Sequence, residues 1–138
     1  MTSLELESLL FEKANKYIAG SINGKVYKSG LRPMVETPNL HKEDAVVGVL
    51  TGTGNELQKG SCYVNVYIPD KEVNGGLYLA DKSRLSAIAS LLDSLPAEFR
   101  KDERVYFQKS DMILVFEEPQ LREHFVSLKL DFKVLQTY

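Results

Sequence analysis

From His124 to Leu135 the chain holds the pattern that most limits its fold. Val126, Leu128, Leu130, Phe132 and Val134 fall on one parity, and Ser127, Lys129, Asp131 and Lys133 on the other. A period of two over this length is a β-strand with one face in a core and the other wet or polar. Ser61–Pro69 repeats it, with Cys62, Val64, Val66 and Ile68 facing one way and Tyr63, Asn65 and Tyr67 the other. Before it, Asp44–Thr51 is a nearly continuous apolar run. The link Gly52–Gly60 is polar and glycine-rich, which predicts a hairpin with a long tip.

Two segments switch to the helical period. Over Ser3–Ala19, Leu6, Leu9, Leu10, Ala14, Tyr17 and Ile18 make an apolar stripe broken by Lys13. Thr2 and Glu5 have capping-box spacing, and Gly20 is placed to end the helix in a left-handed turn. The second helix is predicted from Ala80 to Leu95, with Asp81 as N-cap and Pro96 as terminator. A short strand at Lys25–Lys28 leads into a loop running to about His41, where Pro33 and Pro38 argue against regular structure. Pro69 to Gly76 is read as a flexible crossover, and Glu98–Arg104 as a charged loop. Two or three strands follow: a short one around Val105–Gln108, one at Asp111–Glu118, and the long alternating one. The expected architecture is a single α+β domain over residues 1–138, with one antiparallel sheet of four to five strands and two helices packed on one face.

At 138 residues the chain is long enough for a hydrophobic core without disulfides or metals. Its 17 basic and 19 acidic residues leave a net charge of −2, which argues against a dedicated nucleic-acid binder. One cysteine, Cys62, excludes an internal disulfide and a cysteine-based metal site, and fits a reducing compartment. The N-terminal leucines are interrupted by Glu5, Glu7 and Glu12, unlike a signal peptide, and no run approaches a membrane span. These features predict a cytoplasmic site of synthesis and no membrane partner.

No catalytic constellation emerges. Gly52-Thr53-Gly54 precedes a strand, not the helix a phosphate loop needs, so it reads as a hairpin tip. His41 and His124 lack companion ligands, and Glu123 points to the opposite face from its neighbour His124. Cys62 reads as a packed core thiol. The pairs Glu43/Asp44, Asp102/Glu103 and Glu117/Glu118 diverge along extended chain and read as solvated charges at element ends. Tyr63, Asn65 and Tyr67, with Tyr78 nearby, make an aromatic face without interleaved basic residues, which favours packing or an interface over stacked bases. Lys25, Lys28 and Arg32 read as solvated surface, with contact to an acidic partner as the minority reading. No catalytic, cofactor or metal residues are assigned.

Several segments, in order, resemble the phage tail-terminator (tail completion) proteins. They are the N-terminal amphipathic helix, Gly24-Lys25-Val26-Tyr27, the proline loop Leu31-Arg32-Pro33, and Ala45-Val46-Val47-Gly48-Val49. Val64-Asn65-Val66-Tyr67-Ile68-Pro69, the crossover helix, and the closing strand from His124 to Phe132 complete the order, which covers nearly the whole chain. The resemblance implies a non-enzymatic structural protein of a phage or prophage. It implies a homo-oligomeric ring, often hexameric, that caps the tail tube and meets the head-side connector, with the tube protein and connector proteins as partners and the virion tail as destination. It transfers no site residues.

A ring needs head-to-tail interfaces. The interface residues expected here are Thr51, Thr53, Asn55 and Gln58 on the hairpin tip, Tyr63 and Tyr67 on the aromatic face, and Lys129, Asp131 and Lys133 on the polar face. The competing reading is a small bacterial binding or regulatory module without catalytic activity, and an enzyme of unrecognised type stands third.

Overall fold

The computed structural model of the chain describes residues 1–33, 42–52, 59–100 and 104–135. Of the sequence expectations, Pro38, His41, the tip residues Thr53, Gly54, Asn55 and Gln58, and the Asp102/Glu103 pair lie outside the described residues, as does the side chain of Thr51.

Helix α1 spans Ser3–Ile18, and Thr2 caps it by accepting a hydrogen bond from the Glu5 amide at 3.1 Å. Its four-residue repeat Leu6, Leu10, Ala14, Ile18 is buried. The helix does not stop on a left-handed Gly20. It tightens into a 3-10 turn over Ala19–Ser21, another way to occupy the last carbonyls. Strand β1 (Val26–Lys28) follows, then β2 (Asp44–Gly52) and β3 (Lys59–Pro69). The expected flexible crossover carries a small ribbon, β4 (Lys71–Val73) and β5 (Leu77–Leu79), turned at Asn74, Gly75 and Gly76, all with positive φ. Helix α2 runs Lys82–Asp93, with Asp81 accepting from the Arg84 amide at 3.2 Å as its sequence position predicts. Then come β6 (Glu98–Arg100), β7 (Val105–Glu118) and β8 (Glu123–Val134).

The fold is α+β, but the sheet differs from expectation in four ways. It has six strands, in the order β1-β2-β3-β8-β7-β6, with β4-β5 as a separate pair. Glu98–Arg100, taken as loop, pairs with Tyr106–Gln108 as an edge strand. The two pieces expected between Val105 and Glu118 are one strand, whose register against β8 shifts between Lys109 and Ile113. Phe107 stands level with Phe132 and Ile113 with Leu128, so the bulge inserts two residues and keeps the parity; the segment reads as two because the polar stretch Lys109-Ser110-Asp111 separates its apolar halves.

The sheet is also not wholly antiparallel, because β1 lies parallel to β2. A parallel return needs a connection of about a dozen residues or more, and residues 29–43 supply it. In the described part of this connection, Arg32 crosses the face of the sheet that carries no helix and lies over the Tyr67 ring.

On the other face, the buried residues of both helices share one cluster with Cys62, Val64, Val66 and Ile68 of β3 and Val126, Leu128, Leu130 and Phe132 of β8. This is the parity the alternation assigned to the core. No helix among the described residues is long and apolar enough to cross a membrane.

Candidate interaction surface

The face without helices has three zones. The first is an ion-pair cluster at the end where β2 and β8 begin. Arg32 binds both carboxylate oxygens of Glu123, at 2.8 and 3.0 Å, and Asp44 at 3.0 Å. The other Asp44 oxygen accepts the Lys25 amide at 2.9 Å. Glu123 is 0% exposed and the Arg32 side chain 9%. Burial opposes the charge on Arg32, but the two carboxylates outweigh it and hold the guanidinium above its ordinary pKa.

Neighbouring Glu43 pairs with Arg84 of α2 at 2.6 and 2.9 Å, and Arg84 also donates to the Ser21 carbonyl. The bonds to Glu43 hold Arg84 above its ordinary value. Glu43, Asp44 and Arg32, expected as solvated charges, are therefore structural. Adjacent carboxylates in extended chain diverge as predicted, but each meets its own arginine from a distant segment. On the same end, His124 Nδ1 lies 2.7 Å from Asp70 Oδ1.

The second zone is aromatic. Tyr67, Phe125 and Phe116 form a row across β3, β8 and β7, with ring centroids 4.9 and 5.2 Å apart. Burial raises the Tyr67 pKa. Tyr63, four residues before Tyr67 on β3, lies across Gly48 of β2, and its hydroxyl is 3.3 Å from Ser29 Oγ. A Cβ at position 48 would sit 2.6 Å from Tyr63 Cζ, inside contact distance. Gly48→Ala is expected to displace the Tyr63 ring and cost about 1–3 kcal/mol, read by thermal unfolding. An unchanged midpoint would mean that the ring swings away freely.

The third zone is polar. Lys129, Asp131 and Lys133 are exposed on β8, opposite Tyr63, Ser61 and Lys59 of β3. Ser61 Oγ is 3.5 Å from Asp131. Of the residues expected at an interface, Tyr63 and Tyr67 are thus half-buried in contacts within the chain, while the β8 triplet is open to solvent. Tyr78 belongs to none of these zones; the Arg122 guanidinium stacks on it, 4.1 Å from the ring centre.

A groove of about 400 Å³ lies between the Ser29–Arg32 segment and the tyrosines. Among its described lining residues the one arginine, Arg32, is committed to Asp44 and Glu123. Cys62 is fully buried with its pKa pushed up to about 12 by burial, the opposite of an activated thiol. No cluster of potential metal ligands occurs among the described residues.

The feature sequence reasoning missed is the far half of β7. Met112, Leu114, Val115 and Phe116 are all exposed, Met112 by 64% and Phe116 by 44%. Among the described residues β6 pairs only with Tyr106–Gln108, so the edge beyond the bulge has no neighbour. An apolar strand with an open edge is a template for another chain unless it is covered. The signal was present as five consecutive apolar residues, 112–116, but a buried strand reads the same way.

The class defined by these features is a small α+β domain with a helix-covered core face and an open apolar strand. No family model matches the chain, and no curated protein matches it.

Proposed function

We propose that this chain is a structural protein of a phage or prophage tail, made in the cytoplasm and built into the virion, where a ring of copies caps the tail tube and meets the head-side connector. The observation that carries an assembly role is the exposed apolar half of β7, Met112–Phe116, lying along an open sheet edge. Burying one such side chain is worth about 1.5–3 kcal/mol, so several together favour association of copies. The resemblance of the segment order to tail terminators supports the tail in particular. The ordering of Arg32 also favours assembly over the small-molecule reading, since the groove's guanidinium is already satisfied by two carboxylates.

Light scattering over a concentration series, with negative-stain images of the same sample, tests this. The expected result is growth to closed rings. Leu114→Lys should raise the concentration needed for assembly by at least about tenfold while leaving thermal unfolding of the protomer unchanged. A chain that stays monomeric alone and in the presence of tail tubes would overturn the assembly reading.

A further inference from the structure

We infer that the open half of β7 is covered by the opposite edge of the sheet, the short strand β1, of a second copy joined head to tail. This rests on the assembly reading and names the joint.

The two edges of the sheet are stepped in complementary ways. Following the register across the sheet, Val26 of β1 stands level with Ala45, Val66, Val126 and Val115. Lys28 stands level with Val47, Val64, Leu128 and Ile113. The protruding short strand β1 and the open stretch of β7 therefore lie at the same height on opposite edges. At the other height the roles reverse: β6 protrudes beside Tyr106–Gln108, while among the described residues Val49–Gly52 of β2 has no neighbour on its β1 side. Two copies set side by side in one orientation lap together at these steps.

Strand polarity agrees. β1 is parallel to β2, and β2, β3, β8 and β7 alternate in direction, so β1 runs opposite to β7. Copies in the same orientation thus place β1 antiparallel to the neighbour's β7, ready to form a ladder.

Charge agrees as well. The β1 side carries exposed Lys25 and Lys42, and the end of β7 carries Glu117 and Glu118. Because Val26 faces the core, Lys25 faces the open side, as Glu118 does where it lines the groove with Tyr67. With the edges in register, Lys25 and Glu118 become diagonal cross-strand neighbours, about 7–8 Å apart between α-carbons. A joint of two different surfaces is heterologous, so it continues from copy to copy and closes into a ring when the rotation allows. Pairing of β7 with the β7 of another copy would instead end at a dimer.

The test is cross-linking of Lys25→Cys and Glu118→Cys variants with a short flexible bismaleimide; native Cys62 is buried and does not compete. A mixture of the two single variants should give cross-linked dimers, each alone should give none, and the double variant should give a ladder of multimers. Light scattering on the same samples reports assembly separately. Cross-linking of Glu118→Cys alone would overturn the joint in favour of a two-fold one. Assembly without cross-links in the mixture would overturn the joint and leave the ring reading standing. Absence of assembly in the wild-type chain, with or without tail tubes, would remove both.

Discussion

Arg32→Ala lowers the stability of the folded chain by about 3–5 kcal/mol, the usual cost of stripping one partner from a buried ion pair. Among the described residues it is this guanidinium that balances the charge of Glu123, which is wholly buried, and it also binds Asp44. Removing it strands a carboxylate away from water and takes a planar cation off the Tyr67 ring. It also frees the described end of the β1–β2 connection from the sheet. Lysine is a poor substitute, because a single ammonium cannot reproduce the two-oxygen contact with Glu123 while also reaching Asp44. Adding Glu123→Gln to Arg32→Ala should recover much of the loss, since the stranded charge is gone. Urea unfolding of the four proteins checks this. A loss under about 1 kcal/mol for Arg32→Ala, the range of an exposed pair, would mean that Glu123 reaches water in solution.

The second large effect divides β7 at its bulge. Phe107 is fully buried, faces Phe132, and is the largest of the fully buried side chains. Phe107→Ala should cost about 3–5 kcal/mol, combining lost transfer energy with the cavity left behind. A few residues on, Val115→Ala should change protomer stability by no more than about 0.5 kcal/mol, because Val115 is half exposed. Its effect belongs to assembly. Paired measurements of unfolding and of association would separate the two halves of one strand. Equal costs at positions 107 and 115 in the isolated protomer would mean that the far half is already covered within the chain, which would undercut the docking surface.

Much of the protomer was legible from residue patterns. The period-two runs in β3 and β8 assigned their core parity, because alternation has only two faces to choose between. The stripe through Leu6, Leu10, Ala14 and Ile18, and the caps at Thr2 and Asp81, placed both helices, since these depend on neighbours within one turn. Short edge strands were harder: Glu98–Arg100 has a single buried residue, Phe99, and three residues give no period. The ribbon at Lys71–Leu79 was hidden for the same reason.

What sequence determined by itself, then, is local and periodic: which segments are helix or strand, which face of each is buried, and that Cys62 is a core residue. Tertiary structure alone decided that β1 runs parallel to β2, that Arg32 meets Asp44 and Glu123 across three strands, and that β7 outruns β6 to leave Met112–Phe116 open. These depend on residues far apart in the chain. Arg32 and Glu123 are 91 positions apart, and no spacing rule links them. An apolar run such as 112–116 has the same composition whether a neighbouring strand covers it or not, so only the order of strands in the sheet tells a core from a docking edge.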